Sequence, residues 1–295
     1  METRPLSILE MIRMETMNEA RRLASLMEDR VRQKHHGHLM MAMLAESHSY
    51  GLSTPESDVD VRCIHVVHSE RLFGLSGLSD SASTEQMSVE NGDDCDVVSQ
   101  EVGKFCRLAL ECNPNILEML FAPQTTVVTT SPDYQALRDI RFSFLCTRMA
   151  KAAYLGYSRS QLERLLRKQG NQQMQADMKN LNLLDAIARM VGEAERFGLD
   201  TVEYDVKHGM HLIRLLIDFE NLLRDGCLSV DMSDHRDGLM AIRRGQVTLE
   251  SLVGLVNERI TSVEEILQSG GSVLPEEPER DLVDAFLIEM RRKNL

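Results

Sequence analysis

Two short apolar runs, separated by a polar turn, constrain the fold of this chain more than any other feature of its sequence. The runs cover 39–45 and 61–67, and both have the length and aliphatic content of buried β-strands. The turn between them reads Glu-Ser-His-Ser-Tyr-Gly-Leu-Ser-Thr-Pro-Glu-Ser-Asp-Val-Asp. The sequence therefore predicts two strands joined by a long polar turn, with Asp58 and Asp60 at the start of the second strand.

The spacing of these two aspartates indicates a cation site. Residues i and i+2 of a strand point to the same face, so Asp58 and Asp60 can reach one point in space. Clustered carboxylate oxygens are the ligands that Mg²⁺ requires, and the hydroxyls and N–H groups of the turn suit phosphates. A third carboxylate, Asp96, precedes another short apolar run and would complete the cluster from a neighbouring strand. The alternative is an Asp-x-Asp surface turn, because Pro-Glu-Ser-Asp is typical of turns.

Composition limits the classes of protein to which the chain can belong. It has 295 residues, of which 43% are hydrophobic, enough for one large domain or two ordinary ones. The formal net charge of −13 excludes a generally basic surface for nucleic acid, but not a local basic cleft. Six cysteines without a C-x-x-C pair indicate a reducing compartment. The charged N-terminus and the absence of an apolar run of ~18 residues predict a cytoplasmic protein without a membrane partner.

Hydrophobic periodicity predicts the order of the remaining elements. A helix is expected over 7–34, and a further helix from Ser99 to Glu111. Between them, 68–95 is interpreted as an irregular excursion or a weak hairpin, and a last short strand is expected at 127–128. Beyond Pro132 the pattern is helical, with helices expected over 134–168, 174–197, 202–225, 236–244, 248–268 and 278–293, and with breaks at Gly170, Gly198, Gly226, Gly245 and Gly270.

These elements predict an α+β fold with two domains. The first, 1–132, is expected to hold an N-terminal helix and the predicted strands, and the second, 133–295, to be all-helical. Two further motifs were considered for ligand binding. The His-rich segment 34–38 is interpreted as a solvated helix end, because no acidic or Cys partner stands at metal-ligand spacing.

The second motif is a basic stripe on one predicted helix. Lys207, His208, His211 and Arg214 fall within about a third of the helical wheel. An ordinary solvated face explains this pattern. The same stripe would also suit a triphosphate or a nucleic-acid backbone.

The polar turn resembles a known family pattern, Gly-Ser-x-Ala-Tyr-Gly-Leu-x-Thr-Pro-x-Ser-Asp-x-Asp. The pattern is that of predicted nucleotidyltransferases of the DNA polymerase beta superfamily, in particular a minimal bacterial and phage group associated with RNA repair. The matching residues are Ser47, Tyr50, Gly51, Leu52, Thr54, Pro55, Ser57, Asp58 and Asp60, followed by Arg62. Further blocks are similar at 96–98, 104–105, 113–121, 154–157, 161–162, 207–216, 241–245 and 274–278, so the resemblance covers about 39–290.

The resemblance implies a Mg²⁺-dependent nucleotidyltransferase that moves a nucleotide from an NTP such as ATP to an RNA, nucleotide or protein acceptor. Asp58, Asp60 and Asp96 would be its catalytic, metal-binding carboxylates, for two Mg²⁺ ions or Mn²⁺. The fold that the resemblance implies for the first domain is a small mixed β-sheet with helices packed on it, and the helical domain would complete the cleft for nucleotide and acceptor. The nucleotide-binding residues expected with this assignment are Ser47, His48, Tyr50, Gly51, Ser57, Arg62, Lys104, Lys207, His208, His211 and Arg214.

The chain departs from the family pattern at Glu46, where the family has glycine. Glycine tolerates unusual backbone angles and lets the chain approach a triphosphate closely. A glutamate pointing inward would weaken nucleotide binding by about 1–4 kcal/mol through charge repulsion. Two alternatives follow: a catalytically impaired module that binds a nucleotide or RNA, and a toxin–antitoxin or defence protein that nucleotidylates a protein. The acceptor and the oligomeric state stay open.

Overall fold

The computed structural model describes residues 8–73, 83–88, 96–167, 172–197, 199–200 and 202–295. The chain divides into two compact units, each of which is described by itself. Unit 1 comprises Met1–Ala109, Glu118–Phe144 and Glu279–Leu295. Unit 2 comprises Leu110–Leu117 and Leu145–Pro278. Each unit is thus built from segments that are distant in sequence. The domain boundary expected near Pro132 stays a prediction.

Unit 1 contains a mixed sheet, as the sequence predicted. In the described part of the chain its strands are β1 (His38–Leu44), β2 (Val61–Val66), β3 (Thr84–Ser88), β4 (Asp96–Glu101) and β5 (Val127–Thr130). Their order across the sheet is β3-β4-β2-β1-β5. The β2–β4 pair is parallel and the other pairs are antiparallel. The two apolar runs of the sequence form β1 and β2, because these strands lie inside the sheet and are buried along almost their whole length.

The predicted N-terminal helix, α1 (Ile8–His35), covers one face of this sheet. Its buried side chains include Leu23, Met27 and Val31, which pack in one core with Val61 and Cys63 of β2. Because side chains alternate along a strand, Arg62 and Ile64 of β2 point to the opposite face of the sheet. That opposite face is the one on which the candidate site lies.

The helix expected from Ser99 to Glu111 begins later than predicted. Ser99 to Glu101 continue β4, and the helix α3 covers only Val102–Leu110. The side chains of Ser99 and Glu101 are buried and have partners distant in sequence: Ser99 Oγ lies 2.8 Å from His65 Nδ1, and Glu101 Oε1 lies 2.6 Å from Arg291 Nη1. These tertiary contacts outweigh the local apolar pattern, so the prediction for these three residues was wrong.

The region 68–95 is only partly described. It contains the short helix α2 (Glu70–Phe73) and β3, which pairs antiparallel with β4. Residues 74–82 and 89–95 lie outside the described residues. The helix α4 (Pro114–Leu120) follows α3.

The single helix expected over 134–168 is divided into three pieces. They are α5 (Pro132–Asp139), a 3-10 turn (Arg141–Phe144) and α6 (Thr147–Leu165). The prediction missed the division because no glycine or proline marks it. The break coincides with the passage from unit 1 to unit 2 between Phe144 and Leu145, both of which are buried.

Unit 2 is helical, as predicted. In its described part α6 is followed by α7 (Gln172–Met178), α8 (Leu183–Phe197), α9 (Val206–Asp225), α10 (Arg236–Arg243) and α11 (Leu249–Ser269). The central helix is α9, which packs against α6, α10 and α11 and is buried throughout 212–220. Gly226 and Gly270 end α9 and α11 with φ of +67°, as glycines at helix ends commonly do. The breaks expected at Gly170 and Gly198 lie outside the described residues.

The last helix, α12 (Arg280–Lys293), belongs to unit 1. It packs against the 3-10 turn Arg141–Phe144, and its Arg291 carries the ion pair with Glu101. None of the helices in the described residues combines the length and the apolar character that crossing a membrane demands.

Candidate active site

The polar turn begins with a tightly bonded 3-10 turn, Glu46–His48, directly after β1. The carbonyl oxygen of Glu46 accepts hydrogen bonds from the N–H groups of Ser49 (3.0 Å) and Tyr50 (3.1 Å). It also accepts one from the Ser49 hydroxyl, at 2.8 Å. The N–H of Leu52 then donates to the carbonyl of Ser47 at 2.9 Å. The first half of the turn therefore has a defined backbone conformation that leaves the half-buried Ser47 side chain at its start.

The second half of the turn is held by Ser57. Its N–H donates to the Thr54 carbonyl at 3.0 Å, and its hydroxyl accepts from the Thr54 N–H at 2.9 Å. The turn closes where the Ala45 N–H donates to the Asp60 carbonyl at 2.9 Å, just beyond the ends of β1 and β2. Ser57 thus stabilises the segment that presents Asp58.

His48 links the two halves of the turn. Burial lowers the pKa of its imidazole, although the backbone of Ser57 and Asp58 and the charge of Asp58 favour the protonated form. The ring is therefore neutral at pH 7. Among the described residues its buried Nε2 atom has no hydrogen-bond partner, so this nitrogen remains able to bond to a ligand or a water molecule.

Tyr50 and Gly51 support the turn from inside unit 1. Tyr50 is 1% exposed, and its hydroxyl donates to Oε2 of the buried Glu118 at 2.9 Å. Gly51 has a φ of +68°, a conformation that glycine adopts without strain. In this structure both residues position the turn, and a direct contact of either one with a nucleotide stays a prediction.

The carboxylates lie at the end of the turn. Asp58 is exposed and Asp60 is half-buried; Asp60 directly precedes β2 and Asp58 lies three residues before it, so both stand ahead of the strand at whose start they were expected. Val61 of β2 is paired with Val97 of the parallel strand β4, so one residue earlier the backbones of Asp60 and Asp96 are neighbours. The side chain of Asp96 lies outside the described part. Among the described residues no group of three His, Cys, Asp or Glu side chains has the arrangement of a metal site.

Glu46 has a backbone conformation that favours glycine. Its φ is +51°, in the left-handed region that costs a non-glycine residue about 1–2 kcal/mol. Its Oε1 atom lies 3.4 Å from Nη2 of Arg62, and each side chain is about a third exposed. The charge that the sequence places beside the turn is therefore paired with a cation of β2.

Lys104 lies away from the carboxylates in unit 1. Its Nζ donates to Thr84 Oγ1 at 2.7 Å, and Thr84 is opposite Gln100, near the end of β4. Asp96 begins the same strand, four residues earlier, which corresponds to about 13 Å along the strand. A role of Lys104 in charge stabilisation stays a prediction.

The predicted basic stripe belongs to α9 in unit 2. Lys207 is exposed, but Arg214 is only 3% exposed and pairs with the buried Asp218 at 2.8 Å. A solvated face was therefore the wrong interpretation for Arg214. Burial and the positive charges of Arg214, Lys207 and the neighbouring His208 lower the pKa of His211 to about 3. Binding of a nucleotide by these residues stays a prediction.

A buried ionic network lies on the α1 side of the sheet, and the sequence interpretation missed it. Glu85 of β3 accepts hydrogen bonds from Arg30 (2.8 Å) and Lys34 (2.6 Å) and bonds to His35 (2.8 Å). Burial alone would raise the pKa of the Glu85 carboxyl, but these partners lower it to about 2. His35 is 2% exposed, so the solvated helix end expected at 34–38 was wrong for this residue. The run of cations at the end of α1 was a signal that a carboxylate partner was needed.

The chain belongs to the RNA repair pathway DNA polymerase beta family, whose profile matches residues 14–289. This membership confirms the resemblance found in the sequence, and the match to the family profile covers almost the whole chain.

Individual relatives match shorter segments. The chain is 38% identical over 119 residues to an uncharacterized 38.9 kDa protein of Enterobacteria phage T4, in a match that covers 39% of this chain and 35% of that protein. It is 31% identical over 110 residues to an uncharacterized protein of Methanocaldococcus jannaschii, covering 37% of this chain and 43% of that protein. Less than half of the length of either relative is therefore matched. A nucleotidyltransferase-like protein from Exiguobacterium sibiricum, with a solved structure, is 12% identical, with 94% of this chain and 80% of that chain covered and a TM-score of 0.30.

Proposed function

We propose that unit 1 transfers a nucleotide from an NTP to an acceptor hydroxyl in a metal-dependent reaction. The observation that carries the proposal is the register of the parallel strands β2 and β4, in which the backbone of Asp60 is next to that of Asp96. Asp58 stands two residues before Asp60, at the end of the polar turn. Family membership supports the same class of reaction.

The residues present fit a divalent cation. Asp58, Asp60 and Asp96 offer carboxylate oxygens, which are the ligands that Mg²⁺ and Mn²⁺ take, and the exposure of Asp58 gives a hydrated ion access. A bound Mg²⁺ would polarise the phosphates and lower the pKa of the acceptor hydroxyl. The chain itself positions Asp60, because the Ala45 N–H donates a hydrogen bond to the Asp60 carbonyl where β1 ends and β2 begins.

The start of the turn is the proposed phosphate-binding segment. The first N–H groups of a helical turn have no partner within it, and Ser47 is one of the residues of this turn. The unpartnered Nε2 of the neutral His48 adds a further polar group to the same turn. Pairing with Arg62 compensates the charge of Glu46 and so reduces the repulsion expected from the sequence.

The test is NTP binding and turnover by the carboxylate variants. We expect calorimetry to detect binding of an NTP only with Mg²⁺ or Mn²⁺, and Asp58→Asn to lower turnover by about 100-fold or more. Glu56→Gln is the matched control, because Glu56 is an exposed carboxylate of the same turn. Wild-type protein that binds no NTP with either metal at low salt would refute the proposal, as would undiminished turnover by Asp58→Asn.

A second function, an impaired binding module, is favoured by Glu46 alone. If the strained glutamate has removed catalysis, Glu46→Gly should create turnover that the parent chain lacks. Glu46→Gln separates the two causes, because it removes the charge but retains the side chain at positive φ. Mass spectrometry of acceptors labelled from an NTP distinguishes an RNA or nucleotide acceptor from a protein acceptor. A protein acceptor is the one expected for a defence protein.

A further inference from the structure

In unit 2 the end of α6 and the start of α9 are fixed side by side. The N–H of Asp205, the residue before α9, donates to the carbonyl of Leu165, the last residue of α6, at 3.0 Å. One turn earlier in α6, Gln161 Oε1 lies 2.8 Å from Nδ1 of His208. Side chains that flank these contacts on the two helices are therefore neighbours.

Cationic side chains gather around this junction. Those at the junction or on the adjoining α10 are termed the basic patch and consist of Arg164, Arg167, Lys207 and Arg243. The first three are exposed, and within the ranges that the structure describes no carboxylate forms an ion pair with them. In a chain with a net charge of −13, such a cluster is a strong local departure from the average surface.

Two imidazoles lie within the field of the patch. Burial lowers the pKa of His208, and the charges of Arg164, Lys207 and Arg167 lower it further, against the opposing charge of Asp205. Burial likewise lowers the pKa of His211, together with charges that include Lys207 and Arg243. Both imidazoles are neutral at pH 7, so the positive charge of the patch comes from its arginines and lysine.

The carboxylates nearest to the patch are engaged elsewhere. Asp205 caps α9 by accepting the N–H groups of Lys207 (3.0 Å) and His208 (3.2 Å). Glu163 pairs with Arg159 at 3.2 Å. The three exposed cations of the patch, Arg164, Arg167 and Lys207, therefore present their positive charge to solvent.

We propose that the basic patch binds the phosphate backbone of a single-stranded nucleic acid. Arginine offers a planar fork of donors that matches the oxygens of a phosphate, and the members of the patch all lie close to the two neighbouring imidazoles, His208 and His211. The net negative charge of the remaining chain repels a polyanion, which limits the contact to a short segment. Because the recognition is through phosphates, binding should show no base preference.

A neighbouring cavity helps to delimit this surface. It has a volume of ≈ 280 Å³, and its lining includes Asp200 and Glu203. Two carboxylates disfavour a phosphate there, so the expected path of the strand stays on the patch. As an acceptor site the patch rests on the proposed function, but the binding itself needs neither metal nor NTP.

The experiment measures fluorescence anisotropy of a labelled oligouridylate of ~15 nucleotides with the full chain in EDTA. For about four phosphate contacts, the slope of log K against log salt should be near −3, at ~0.7 for each contact. The double variant Arg164→Gln/Arg167→Gln should reduce the slope to about −1.4 and weaken binding roughly 25-fold at ~0.1 M salt. Lys207→Gln, a single change at another exposed position, should reduce the slope by ~0.7.

Arg189→Gln is the matched control in the same unit. Arg189 is an exposed arginine that pairs with Asp177 (3.4 Å) and Glu193 (3.3 Å), so its loss should leave RNA binding unchanged. Equal binding of oligodeoxythymidylate indicates recognition of the backbone alone, and preference for RNA indicates a contribution of the 2′-hydroxyl; both outcomes support the proposal.

Three outcomes would overturn the proposal. The first is that the wild type binds no RNA at low salt. The second is that both patch variants keep the salt slope of the wild type. The third is that polyglutamate displaces the labelled RNA as effectively as unlabelled RNA does. The last would assign the patch to an acidic protein instead. Asp58→Asn, which tests the nucleotidyl transfer, should bind RNA normally, so a failure of the proposed function and a failure of the patch can be told apart.

Discussion

Replacement of Glu85 by glutamine should destabilise unit 1 by about 3 kcal/mol at neutral pH. The Glu85 side chain is 1% exposed and is surrounded by Arg30, Lys34 and His35 at 2.6–2.8 Å. Its pKa of about 2 in the folded state compares with 4.5 for the free group. A difference of about two and a half units, at 1.36 kcal/mol per unit, gives about 3 kcal/mol.

The effect should depend on pH in a defined direction. A carboxyl whose pKa is lowered by folding contributes its full stability above the unfolded pKa, here 4.5, and loses it as the pH falls toward the folded pKa of about 2. The difference in unfolding free energy between wild type and Glu85→Gln should therefore shrink from about 3 kcal/mol at pH 7 to about 1 kcal/mol at pH 3.

Urea unfolding followed by circular dichroism at the two pH values measures this difference. Hydrogen exchange of the amides of β3 and β4 reports on unit 1 separately, which matters if the two units unfold independently. Glu19→Gln is the control, since Glu19 pairs with Arg22 on the more exposed surface of α1 and should contribute less than about 1 kcal/mol. A loss that is independent of pH, or an equal loss in the control, would show that the network does not act through the charge of Glu85.

Three further changes test other parts of unit 1. Tyr50→Phe removes the hydroxyl that donates to the buried Glu118, and should lower the free energy of unfolding by about 1–3 kcal/mol in urea titrations. Arg291→Ala leaves the 3%-exposed Glu101 without its ion-pair partner and should cost about 3 kcal/mol or more, whereas Arg291→Lys should recover part of the loss. Gly51→Ala places a side chain at φ +68° and should lower the thermal unfolding midpoint through about 1–2 kcal/mol of backbone strain; an unchanged midpoint would contradict the positive φ.

Elements with a strong local pattern were predictable from the sequence. The apolar runs became β1 and β2 because both are buried inside the sheet, and the 3.6-residue periodicity located α1 and most helices of unit 2. Gly226 and Gly270 ended their helices as expected, because a left-handed residue at a helix end is a local requirement.

Features that depend on distant partners were not predictable in the same way. Glu101 stays in β4 because Arg291, almost two hundred residues later, pairs with it. The burial of His35 depends on Glu85, and the burial of Arg214 depends on the packing around α9. In each case a tertiary contact decides the environment of a residue whose local sequence indicates a solvated or helical position.

The candidate site combines both kinds of information. The spacing of Asp58 and Asp60 is local and can be read from the sequence, and the structure places both residues in the last part of the turn, with Asp60 directly before β2. The neighbouring position of Asp96 depends on the strand order, which the parallel pairing of β2 with β4 supplies. The metal-binding and catalytic roles of the three carboxylates remain predictions for the NTP experiments.

The ion pair between Arg291 and Glu101 has a consequence for synthesis of the chain on the ribosome. Unit 1 is assembled from segments that lie on both sides of unit 2 in the sequence, and α12 is the last of them to be translated. Until α12 emerges, Glu101 lacks its cationic partner, whereas the segments of unit 2 have already been made. Unit 1, whose strands are all translated before the helical unit, should thus gain its last ion pair only after the helical unit has been made, and nascent chains of this protein depend on late, long-range docking for their final stability.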